Sequence, residues 1–189
     1  MDATGCGAAD IKRGFNQLTA CGKPFWVLDP RPEDIRILDI AAHLSRICRY
    51  NGALRDDIEI YSVAQHSVLV SEHVPPEHAL EALLHDAAES YVGDRVRPVK
   101  HATPGFDIVE HGVDQAIRRK YGLPPKQTPC VKAADNEASA TERRDVCPEN
   151  MRVDWGPMPD PWPEKIVPLL PSAARSLFLE RFIALTADC

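Results

Sequence analysis

The chain has 189 residues, of which 44% are hydrophobic and 26% charged, and a net charge of −6. That is the length of one domain with enough apolar side chain for a real core, and it carries no basic tract of the kind that binds nucleic-acid polymers through counterion release. No apolar run approaches the ~18 residues of a membrane span.

Residues 1–22 show no periodicity and read as an N-terminal arm, flexible in character, which leaves 23–189 as a single domain. The arm has no cationic stretch followed by an apolar one, so the expectation is a cytoplasmic chain without a signal peptide. Six scattered cysteines, Cys6, Cys21, Cys48, Cys130, Cys147 and Cys189, form no CxxC pair and read as free thiols.

"PFWVLDP" from position 24 and "IEIY" at 58–61 are two short β-like runs that could pair as a ribbon. Everything else that repeats does so at helical spacing. Residues 39–50 align Ile40, Leu44, Ile47 and Cys48, with Asp39 suited to the N-cap. Residues 62–74 align Val63, Ser67, Val70 and Val74. The run "PPEHALEALLHDAAESYV" aligns Leu80, Leu83, Leu84, Ala87 and Tyr91 as one further helix. Helices are also expected over 106–121 and 130–145, and a closing one through Leu177, Phe178, Phe182 and Leu185. The proline-dense stretch before that last helix cannot be helical. The fold class expected is therefore all-α, a helical bundle with a minor β-ribbon.

On the wheel for 80–92, His85, Asp86 and Glu89 share the arc opposite the apolar side. Such an arc is either a solvated face or a functional one. His66 lies three residues after Val63 and four before Val70, so it shares their buried stripe, as a satisfied core histidine or as a ligand. Asp135, one turn after Val131, also borders an apolar stripe, where a carboxylate wants a cation. Two imidazoles and two carboxylates together suit a borderline divalent metal with positions left open for water and substrate.

The order His66, His85-Asp86, Asp135 resembles the H…HD…D signature of the HD-domain metal-dependent phosphohydrolases. Further segments carry the likeness: "SRICRY" at 45–50, "YSVAQHS" at 61–67, "LLHDAAESYVGDRVRPVK" at 83–100 and "KAADNEASATE" at 132–142. They are similar to the small nucleotide hydrolases of that group: 5′-deoxynucleotidases, phage deoxynucleoside triphosphate hydrolases and the oxetanocin phosphohydrolase. The resemblance spans roughly residues 24–145. It implies an HD-type helical fold with His66, His85, Asp86 and Asp135 as metal ligands. It also implies Glu89 and Asp94 as the acidic pair that positions water or moves protons, and Arg49 as a substrate contact. Tyr50 stands where relatives often carry Trp, an aromatic that could stack on a base. Within "RVRPVK", Arg95 reads as solvated, while Arg97 and Lys100 are candidates for phosphate, Lys100 the better placed.

The cofactor expected is one divalent transition metal (Co, Mn, Zn, Ni or Fe, with Mg also admitted). His43 and His111 read as solvated, His73 and His78 as flanking a turn. His101 or His111 would be the extra ligand of a second metal, if there were one. The implied activity is cleavage of the 5′-phosphate ester of a mono- or triphosphate (deoxy)nucleotide, the partner being a small-molecule substrate, with self-association common among such proteins. The alternatives are another HD hydrolase, acting on a cyclic nucleotide or alarmone, and a non-catalytic metal-stabilised binding protein.

Overall fold

The computed structural model describes residues 13–187. It is an all-α fold carrying one two-stranded ribbon, with eight α-helices among the described residues. The ribbon pairs β1 (Gln17–Leu18) antiparallel with β2 (Pro24–Phe25), and α1 (Ile37–Leu44) follows. Next in the chain come α2 (Val63–Glu72), α3 (Ala79–Leu83), α4 (Glu89–Val92) and α5 (Arg97–Ala102). The last three are α6 (Phe106–Tyr121), α7 (Pro129–Asp145) and α8 (Pro171–Thr186).

Local chemistry sets several of these boundaries. Ser62 caps α2, its hydroxyl accepting from the Gln65 amide at 3.2 Å. α6 ends on Arg118, Arg119 and Lys120, which complement the negative pole of the helix. Gly122 follows at φ 65°, a left-handed turn that a side chain would strain, and the Leu123 amide closes back onto the Arg118 carbonyl. Proline opens α7 and α8 at the one helical position where its missing N–H is harmless.

α2 lies at the centre, against α3, α7 and α8, while α1 packs on α4 and α8. The main core gathers Phe25, Ile35, Ile40, Leu44, Val63, Leu83, Leu84, Ile117 and Phe178, and Tyr91 stacks on Phe25 at 3.9 Å. The proline-rich segment 147–170 crosses the surface as a strap without helix. Gln65 grips it through the Val167 carbonyl and Leu169 amide, Glu137 accepts from the Trp162 indole, and Arg144 donates to the Trp162 and Glu164 carbonyls.

Several expectations change. The expected partner of 24–30 was 58–61, but β2 pairs with β1 and 58–61 forms no strand; the isolated bridge beside it joins Cys48 to Ser62. Strands of two residues have no period to detect. Residues 13–22 are not a loose arm: Arg13 is ion-paired to Asp29 and Asp34, and Thr19 is buried. The rest of the expected arm, 1–12, lies outside the described residues. Asp39 does not cap α1; Arg36 holds that position, and Asp39 sits fully buried in the first turn, accepting from the Cys21 amide at 2.7 Å. α1 also stops at Leu44, six residues before the expected end at 50. His43 is a tie rather than a solvated group: its two ring nitrogens meet the Ser90 carbonyl and the Ala20 amide. The "RVRPVK" stretch contributes the start of α5.

The most consequential change concerns 75–92, expected as one helix. The chain breaks after Leu83 and tightens through 84–88, with bonds from Ala87 to the Leu84 carbonyl, Glu89 to Asp86 and Ser90 to Ala87, all spanning three residues. Tight turns of this kind inside a helical run are typical of functional positions.

Candidate metal centre

His85 and Asp86 sit on that tightened stretch, which is how neighbouring residues reach one point. On a regular helix they would diverge by about 100°. The His85 ring is fixed by its Nδ1, 2.7 Å from the Ala82 carbonyl, and its Nε2 faces inward. His66 comes from the buried face of α2, with its Nδ1 donating to Glu142 Oε1 at 2.6 Å. The two Nε2 atoms stand 3.3 Å apart. Asp135 Oδ1, from α7, lies 3.3 Å from the His66 Nε2 and 3.8 Å from that of His85. Asp86 Oδ2 lies 3.5 and 3.3 Å from the same two nitrogens.

The chemistry of this donor set fits a divalent cation. With both Nδ1 atoms hydrogen-bonded to acceptors, each neutral imidazole turns its Nε2 lone pair inward. Lone pairs aimed at each other and at carboxylates repel unless a proton or a metal lies between them. Among the described residues, the one group of three or more His, Cys, Asp or Glu ligand atoms within 4.8 Å of one another is His66, His85 and Asp135. His101 and His111 are exposed and outside it. Without a metal, the charges settle the site through protons. Burial and Arg49 oppose a charged His66, but Glu142 and Asp135 outweigh them and its pKa is raised. Burial likewise opposes a charged His85, and Asp86 and Asp135 push its pKa well up. Both aspartates are held below the usual carboxylate range by the imidazoles, against their burial.

Glu142 escaped the sequence reading as a site residue. It is fully buried and takes hydrogen bonds from His66, from the Tyr61 hydroxyl at 3.0 Å and from the Tyr50 hydroxyl, with Arg49 Nη2 at 3.3 Å. Burial works to raise its pKa, yet Arg49 and His66 bring it down to about 2. Its spacing of seven from Asp135 is two helical turns, so both face the same way. That spacing was the available signal.

Arg49 lies close to three carboxylates, with Nη1 3.6 Å from Asp86 and 3.8 Å from Asp94, besides the Glu142 contact. The chain reaches it through a short bridge in which the Arg49 amide donates to the Tyr61 carbonyl and the Val63 amide to that of Ile47. Tyr50 and Asn51 then turn at φ 56° and 54°, a left-handed pair rare outside glycine. The Tyr50 ring stacks on Trp155 of the strap, at 5.4 Å. Held there, with its hydroxyl on Glu142, the ring braces the site wall.

Gly93, at φ 83°, reverses the chain after α4 and carries Asp94 back to Arg49. Glu89 is buried, with Oε1 3.7 Å from Lys100 and Oε2 without a partner among the described residues. Burial first, then Asp86 and Asp94, raise its pKa well above the usual range. Lys100 also meets Glu110 at 2.8 Å. Arg97 is the candidate that the structure leaves apart: it is exposed at the first position of α5 and does not line the cleft beside His85. That cleft, of about 390 Å³, runs from His85, Asp86 and Glu89 along one side of α6.

The molecule is thus an all-α protein whose buried imidazole pair meets two aspartates drawn from separate elements. No family model matches the chain. It is 43% identical over 174 residues to the uncharacterized protein YfdR of Escherichia coli, an alignment covering 87% of this chain and 92% of YfdR. It is 35% identical over 142 residues to an uncharacterized protein of Rhodobacter capsulatus, covering 71% of each. The chain belongs to the family of these proteins. No helix among the described residues is long and apolar enough to cross a membrane.

Proposed function

We propose that the protein is a metal-dependent phosphohydrolase that cleaves the 5′-phosphate ester of a nucleotide, as its H…HD…D pattern implies. The observation that carries this reading is the convergence of the His66 and His85 Nε2 atoms with Asp86 and Asp135, beside a buried Glu89 that has one oxygen unpartnered. His66, His85, Asp86 and Asp135 would hold one divalent transition ion. When bound, the cation supplies Lewis acidity, acidifying water and drawing charge from a phosphoryl oxygen.

The remaining chemistry belongs to the chain. Glu142 and the Ala82 carbonyl keep the two imidazoles in the tautomer that presents Nε2. Arg49, charged and nearly enclosed, offers its guanidinium to the phosphoryl group beside Asp86. Burial, Asp86 and Asp94 favour the protonated form of Glu89, which suits it to protonate the leaving alkoxide. Lys100 steadies Glu89 from the cleft side, and Asp94 fixes Arg49.

The test is chelation followed by add-back. Hydrolysis of a panel of nucleotides should vanish in chelator and return with Co or Mn, read as released nucleoside by chromatography. Turnover unaffected by chelator would exclude the reading. Glu89→Gln separates chemistry from ligation: metal content should hold while the rate falls by about 10²–10⁴. The same variant should be more stable, because glutamine cannot ionise in surroundings where burial, Asp86 and Asp94 disfavour the anion. Since the native pKa is raised, ionising Glu89 weakens the fold progressively as pH climbs from its unfolded value toward the folded one. The gain in melting temperature from Glu89→Gln should therefore grow over that interval. An unchanged melting temperature across it would show that Glu89 is already paired.

A further inference from the structure

We infer that the site takes an ester carrying a single phosphoryl group and turns away di- and triphosphates, a refinement that rests on the phosphohydrolase reading above. The cleft beside His85 and Asp86 is walled by α6, which sets Asp107, Glu110 and Asp114 along it at intervals of three and four residues. That spacing forms one acidic stripe on the helix. Glu89, 6% exposed, also lines the cleft, with its Oε2 unpartnered.

The cations around this space, Lys126 apart, are already engaged among the described residues. Arg49 faces Asp86, Asp94 and Glu142; Lys100 sits between Glu110 and Glu89; Lys132 lies 2.8 Å from Asp135. Arg118 is held by Asp114 and Glu81. Lys126 is exposed at the cleft. Acidic groups therefore outnumber basic ones around the centre, and one divalent ion does not reverse the balance. A single phosphoryl dianion can be matched by that ion and Arg49. Each further phosphate would add negative charge that must either face the α6 carboxylates or displace an ion pair already made. A leaving group rich in hydroxyl or amino donors suits the same carboxylates well.

The test uses the full-length protein loaded with Mn. Across the mono-, di- and triphosphates of the four common deoxynucleosides, kcat/KM should be at least about ten-fold higher for mono- than for triphosphates at low ionic strength. The gap should narrow as salt screens the stripe. Asp107→Lys should shrink the ratio by about three-fold or more. Equal or greater efficiency on triphosphates would overturn the proposal. Binding gives an answer independent of turnover: in calorimetric titrations, with metal content checked afterwards, orthophosphate should bind more tightly than tripolyphosphate. The reverse order, or binding of neither, would overturn the proposal. If orthophosphate wins but no nucleotide is cleaved, the phosphohydrolase reading fails while the single-phosphoryl preference stands.

Discussion

Asp135→Ala should purify with less than about a tenth of the wild-type metal and hydrolyse nucleotides at least about 10³-fold more slowly. The residue brings an Oδ1 within 3.8 Å of both imidazole nitrogens, so its loss removes the contribution of α7 to the centre. What stays behind is two imidazoles and Asp86, a set with one charge fewer and an open side toward solvent. The fold should tolerate the change. Asp135 lies near the surface end of the site, and its other oxygen meets only the exposed Lys132. Elemental analysis and thermal melting on the same preparation check both halves of the expectation. Full metal occupancy would mean that another carboxylate completes the shell.

Glu142→Ala should do the opposite, damaging the fold first. This carboxylate holds His66, Arg49, Tyr50 and Tyr61 at once, inside the protein. Removing it strips Arg49 of one of its neighbouring negative charges and leaves two buried hydroxyls without their acceptor. Breaking a buried pair from one side costs about 3–5 kcal/mol. At about 2–4 °C per kcal/mol for a chain of this size, the melting temperature should drop by roughly 6–20 °C. His66 also loses the partner that fixes its tautomer, so metal affinity should fall by about 10–100-fold even in protein that remains folded. Glu142→Gln is the informative companion: it keeps the volume and one carbonyl acceptor but not the charge, and should fall between. A wild-type melting curve for the alanine variant would show that Arg49 is satisfied by Asp86 and Asp94 alone.

The helical class was legible because long amphipathic runs such as 106–121 and 130–145 leave a period that tertiary packing rarely overrides. The four candidate ligands were legible for a different reason. A histidine on an apolar stripe and a His-Asp doublet are poor choices for packing alone, so their chemistry shows through the sequence. Glu142 left a fainter trace: near the end of a charged helix it looks like any solvated glutamate, and its seven-residue spacing from Asp135 tells only once the fold shows that α7 turns this face inward. Tyr61 is hidden in the same way, since its hydroxyl matters only once a buried acceptor exists, and Tyr50 was legible as an aromatic but not through its hydroxyl. The break after Leu83 was missed because Leu, His, Asp and Ala all accept a regular helix. What shortens the turn is the demand of tertiary contacts, which no single-residue preference records.

That shortened turn between Leu83 and Glu89 makes the length of the chain there less forgiving than its composition. Side chains such as Ala87 or Ala88 could be exchanged for others of similar bulk with modest consequence. Adding or deleting even one residue would swing every following group around the helix axis, and Glu89, Asp94 and His85 would no longer address a common point. Homologous chains that keep this site should therefore vary in letters across the segment but never in its count.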